Sequence, residues 1–142
     1  MKARAIIVMM MMSLSFGAFA QGGKYGATPE DSVNCVLNYS LYVEYVKQKA
    51  YGDAVKGWRN VMNYCPKLSK NTFINGARMY KSFIKETDDP TLKEAYIDTL
   101  FWIYDQRIIH FGQEGKVLEY KGGDMLKYRK DSVKLANEIL SR

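Results

Sequence analysis

The sequence predicts an all-α fold, a short stack of antiparallel helix pairs with about six helices, and three observations carry that prediction. Between Cys35 and Pro66, apolar residues recur at intervals of three and four (Leu37, Leu41, Tyr45; then Ala54, Trp58, Val61) on either side of a break at Ala50-Tyr51-Gly52-Asp53, as two helices folded back on each other require. A capping residue followed by Pro, the chemistry that starts a helix, occurs twice, at Thr28-Pro29 and at Asp89-Pro90. The run YIDTLFWIYDQRIIHF is apolar on every side, so a helix there must be covered on more than one face.

The first 20 residues form a separate object. Lys2 and Arg4 make a positive start, Ala5 to Phe16 an apolar core, and Ala18-Phe19-Ala20 a small-residue cleavage site that leaves Gln21 as the new N-terminus. The four consecutive Met residues, Met9 to Met12, are filler in that core and not a metal-binding box, and the core is shorter than the ~20 residues a membrane span needs. The expected compartment is therefore the periplasm, the outer membrane or the exterior, with no transmembrane segment in the mature chain. Loss of Lys2 and Arg4 lowers the net charge from +6 to +4, with Lys and Arg interspersed among Asp and Glu, which argues against a nucleic-acid partner.

Residues 21–28 carry three Gly without periodicity and read as a mobile leader. The first helix is expected from Thr28-Pro29, with Glu30 and Asp31 in its first turn, to about Lys49, and the second from about Gly52 to Asn63, stopped by Pro66. A third covers NTFINGARMYKSFIKE. The fourth runs from Pro90 to about Phe111 as the central core helix, with Gly112 as its stop. After Gly115 the three-four spacing resumes through Val117, Leu118, Met125 and Tyr128, and Gly122-Gly123 inside it predicts a close helix contact that offsets the cost of glycine. A last helix opens at Lys130-Asp131-Ser132.

The spacing of these residues resembles the tetratricopeptide repeat, whose pattern is W-x2-L-G-x2-Y, then A-x3-F, then P. Leu41, Tyr45, Ala54, Trp58 and Pro66 match it, while Asn38 and Tyr42 replace the Trp and the Gly. One period of 34 residues after Tyr42 stands Gly76, the small residue the pattern wants, and Ala95 falls seven residues late, as an insertion in the second turn. Units of about 35–68, 69–112 and 113–142 follow. The segments YVKQKAYGDAVKGWRNVMNYCPKLSKNTFINGARMYKSFI and YIDTLFWIYDQRIIHFGQEGKVLEYKGGDMLKYR resemble the N-terminal part of exported tetratricopeptide-repeat proteins of Bacteroides-like bacteria. That resemblance implies an all-α solenoid that binds a protein or peptide and has no catalytic residues. It also implies further repeats beyond this chain, because the last helix offers an apolar side where solenoids close with a polar cap.

In this repeat class the first helix of each pair faces the concave surface. The register then assigns a partner-binding groove to Tyr39, Val43, Val46 and Lys47 in the first unit and to Phe73, Ala77, Tyr80 and Lys81 in the second, an aromatic floor with Lys at the rim. Chemistry has less to stand on. His110 is the sole His, at a helix end where a cation or donor suits the exposed carbonyls, and one His with two separated Cys is short of a zinc site. No metal, cofactor or catalytic residue is expected. Glu94, Asp98 and Asp105 lie near one helical face, which raises a glycan hydrolase or a glycan-binding domain as the alternative function; solvent-side charge is the plainer account of them.

Cys35 and Cys65 are expected to pair. Their midpoint is residue 50, at the proposed turn, so equal arms put them at one height. At about 100° per residue Cys35 shares a stripe with Tyr42 and Val46, and Cys65 lies within ~20° of Ala54. An oxidising compartment and an even cysteine count agree with that pairing.

Overall fold

A computed structural model describes residues 23–129 together with Ile139 and Ser141. Among them the chain is all-helical, with no strand and five helices: α1 (Pro29–Lys47), α2 (Tyr51–Tyr64), α3 (Lys70–Glu86), α4 (Pro90–Phe111) and α5 (Glu114–Tyr128). The expected signal segment, with its cleavage residues Ala18 and Ala20, and, but for Ile139 and Ser141, the sixth helix expected from Lys130 onward lie outside the described residues.

The starts and stops follow local chemistry. Thr28 caps α1 by accepting from Asp31 N at 3.1 Å, and the Asp31 carboxylate accepts in return from Thr28 N at 3.0 Å and Ala27 N at 3.2 Å. The stretch read as a mobile leader is thus tied to the helix at its end, after a tight turn in which Gly23 and Gly26 exchange backbone hydrogen bonds. Asp89 caps α4, accepting from Thr91 N and Leu92 N at 2.8 and 3.1 Å, with Pro90 at the first helical position where no N–H is missed. Gly112 ends α4 at φ +67°.

Helices α1 and α2 pack as one antiparallel hairpin, α3 and α4 as a second, with α2 against α3 joining them and α5 laid on α4. The Cys35–Cys65 disulfide closes the open end of the first hairpin, Cα atoms 6.2 Å apart and both residues buried. Asn60 Nδ2 donates to Asn38 Oδ1 at 3.0 Å across the same pair. Tyr42, where the repeat pattern wants a small residue, is accommodated from the other side: a Cβ on Gly57 of α2 would stand 3.2 Å from Asn38 O and from Tyr42 Cβ, so the small residue at this crossing belongs to α2. Between the hairpins, Trp58 lies under Gly76, whose absent Cβ would meet the indole at 2.7 to 2.8 Å, and Trp58 Nε1 donates to Thr72 O at 2.8 Å.

Three expectations need correction, and one on α4 holds. Leu37, Leu41 and Tyr45, the periodic stripe of α1, are exposed, and Cys35, Tyr42 and Val46 are buried in their place, because among the described helices α1 packs only against α2 and α3. Ala95, the displaced repeat alanine, is exposed and not buried at a helix crossing. Helix α4 is covered on more than one side, by α3 and α5, as its apolar surface requires, with Trp102 and Ile109 left exposed. A Cβ added to Gly123 would meet nothing within 4 Å, so no helix contact offsets this glycine, although its neighbour Gly122 is buried.

Candidate functional site

The residues assigned to a groove divide. In α1, Tyr39 and Val43 are half-buried, Tyr39 standing edge-on to Tyr42 at 5.3 Å; Val46 is core, and Lys47 is exposed and paired with Glu44 at 3.1 Å. In α3, Phe73 is 1% exposed and Tyr80 2%, and neither is floor. Phe73 sits between His110 and Phe111, with ring centroids at 5.9 and 5.6 Å. Tyr80 contacts Trp58, Phe83 and Tyr96 at 5.5, 5.5 and 5.8 Å, and its hydroxyl accepts from Arg59 at 3.3 Å. The physical reason is that α3 lies between α2 and α4, so the side kept open in the repeat register is closed here by a helix on each flank. Ala77 is mostly buried yet borders a cleft, as does Lys81.

That cleft, about 460 Å³, opens between α3, α4 and the start of α5. Lys70, Ile74, Ala77, Arg78 and Lys81 form one wall, a face of α3 rotated from the expected one; Tyr104 and Arg107 come from α4, and Gln113, Lys116 and Tyr120 from the following turn and α5. Five of these ten side chains are cationic and none is acidic. A second depression of about 700 Å³ adjoins it, sharing Arg78 and Lys81 and adding Lys85, Lys93 and Lys127. The signal that could have found this face was present in α3: Lys70, Ile74, Arg78, Lys81 and Lys85 follow one another at spacings of three and four with no carboxylate among them. Arg107 and Lys116 carried no such signal, since only the fold of α5 onto α4 brings them to α3.

Charge in this region is only partly matched. Asp124 is buried; its carboxylate accepts from Lys81 Nζ at 2.8 Å and from the Tyr104 hydroxyl at 2.6 Å. Burial first, and then the Asp124 carboxylate that holds its proton, push Tyr104 far above the usual tyrosine range. Arg107, 7% exposed, has no carboxylate within ion-pair distance among the described residues. One of its terminal nitrogens donates weakly to Gln113 Oε1 at 3.4 Å, and its buried Nε has no hydrogen-bond partner.

The three carboxylates weighed for glycan chemistry are used otherwise. Arg129, at the end of α5, reaches Asp98 at 2.5 Å and Glu94 at 3.0 Å, and Lys121 of α5 reaches Asp105 at 2.6 Å. They hold α5 on α4; none lines the cleft, and Glu94 lines the adjoining depression. His110 does not serve α4 as a terminal cation: burial, and then Lys67, lower its pKa, and the ring stacks on Phe73 with a buried Nδ1 that finds no hydrogen-bond partner. Among the described residues no group of three or more His, Cys, Asp or Glu side chains could hold a metal ion, and no helix is long and apolar enough to cross a membrane.

In comparisons with known proteins, no protein-family profile, no curated protein and no solved structure matches this chain.

Proposed function

We propose that this protein is an exported helical-repeat scaffold that binds a protein or peptide partner by surface complementarity, without catalysis. The observation that carries the reading is the open cleft between α3, α4 and α5: an apolar floor rimmed by side chains whose charge the fold leaves largely unmatched, as a recognition surface requires. Two antiparallel hairpins in sequence, the second laid against the first, support the tetratricopeptide-like solenoid. The apolar leader over residues 1–20 and the Cys35–Cys65 disulfide support export to an oxidising compartment.

Expression with the leader intact, recovery from the periplasm and gentle co-purification test all of it. The expected result is a mature mass beginning at Gln21, two hydrogens below the reduced form, with a protein partner retained in fixed proportion. A chain that keeps residues 1–20 overturns the export reading. No protein partner, with binding of the purified domain to cell-wall glycan instead, overturns the scaffold reading in favour of glycan binding.

A further inference from the structure

We infer that the cleft between α3, α4 and α5 recognises an acidic peptide segment, one of whose carboxylates is held by Arg107; this rests on the scaffold reading above and names the chemistry of its partner. A guanidinium taken out of water costs free energy unless a counter-charge and hydrogen bonds replace the lost hydration. At Arg107 the fold supplies neither in full: Nε is orphaned, the bond to Gln113 is long, and no carboxylate of the described residues pairs with it. The group nonetheless lines an open cleft. A carboxylate entering there can accept from the planar guanidinium in the two-pronged geometry that arginine favours.

The surroundings favour a peptide over a small ion. Lys70, Arg78 and Lys116 share the lining, and no ion pair engages them among the described residues, so of the five lining cations only Lys81, held by Asp124, has an anionic partner. The cations of α3 continue to Lys85, 15 residue steps from Lys70 or about 22 Å at 1.5 Å per residue, longer than one carboxylate or phosphate can use. Ile74, Ala77, Tyr104 and Tyr120 put apolar surface between the charges, which suits a chain alternating acidic and apolar side chains. A nucleic acid of equal charge would use the cations and leave this apolar floor unfilled.

Fluorescence anisotropy on the full chain decides the matter, with a labelled ten-residue peptide alternating Glu with Leu or Phe as probe. The peptide is expected to bind, more weakly as salt rises, and its Gln isostere at least ten-fold more weakly. Loss of a charge-assisted hydrogen bond predicts a ten- to hundred-fold weaker complex for Arg107→Met, with a raised melting temperature because an unmatched buried charge has gone. Should that variant fail to fold, Lys116→Glu on the exposed rim is expected to weaken binding at unchanged stability, while Lys56→Ala, exposed on α2 and away from the cleft, leaves it unchanged. Equal binding of the Gln peptide, equal binding of an oligonucleotide of the same charge, or displacement by inorganic phosphate at the peptide's own concentration each overturns the inference. A co-purifying partner that remains bound to Arg107→Met and Lys116→Glu overturns it too, but leaves the scaffold reading standing.

Discussion

His110 is held as a neutral ring on Phe73, and its lowered pKa has a consequence for stability. The folded chain binds the proton less readily than the unfolded chain, so this contribution is present above the ordinary histidine value near 6.5 and is lost as pH falls through the lower folded value. Urea melts at descending pH should show the loss beginning below about 6.5, and His110→Phe should remove that part of the pH dependence. On the alkaline side, burial pushes Tyr42 up to about 12, against which its hydrogen bond to Thr72 Oγ1 at 3.3 Å acts only weakly. Its stabilisation is complete below the ordinary value near 10 and is lost as pH rises from there through 12; ultraviolet titration should find a late tyrosine that Tyr42→Phe abolishes. Glycines separate by position in the same way. Gly76→Ala forces a methyl into the indole of the fully buried Trp58 and should lower stability by about 1–3 kcal/mol, although alanine is the better helix former. Gly123→Ala meets nothing and should raise stability by about 0.5–1 kcal/mol. A chemical melt of the pair checks both signs.

The helices differ in how they are held. The hairpin of α1 and α2 is closed by the disulfide across a separation of 30 residues, and restriction of the unfolded chain at that loop length stabilises the fold by about 3–4 kcal/mol in the chain-entropy model. Reduction, or Cys35→Ser with Cys65→Ser, should therefore lower the urea midpoint, and an unchanged midpoint would show that interhelix packing alone holds the pair. Helix α5 is held by burial of Val117, Leu118 and Met125 and by the hydrogen bond from Tyr104 to Asp124, while its ion pairs to α4 through Lys121 and Arg129 are partly exposed, of the kind that contributes little each and weakens with salt. This matters for recognition, because α5 carries Lys116 and Tyr120 to the cleft. Helix α1 keeps Val33, Leu37, Leu41 and Tyr45 exposed at four-residue intervals, an apolar stripe on the side away from its neighbours.

Over the whole molecule, what was legible in the sequence was what local chemistry decides. Helix starts at Thr28-Pro29 and Asp89-Pro90, the stop at Gly112 and the all-α class follow from caps, fixed φ angles and three-four periodicity, each set within a turn or two of chain. The Cys35–Cys65 pairing was legible as well, since a symmetric hairpin turns sequence distance into height along two helices. Which face of a helix is buried was legible on α1 only through the disulfide, which turns Cys35, Tyr42 and Val46 toward α2; periodicity alone reveals that an apolar stripe exists and not which neighbour covers it. On α1 the stripe of Leu37, Leu41 and Tyr45 was left in solvent; on α3 the rings of Phe73 and Tyr80 were closed over by α2 and α4, and the open face turned to Ile74, Arg78 and Lys81. The cleft itself was decided by tertiary structure alone, for Arg107 and Lys116 stand 26 and 35 residues beyond Lys81 and meet α3 only because α4 returns along it and α5 folds back over α4.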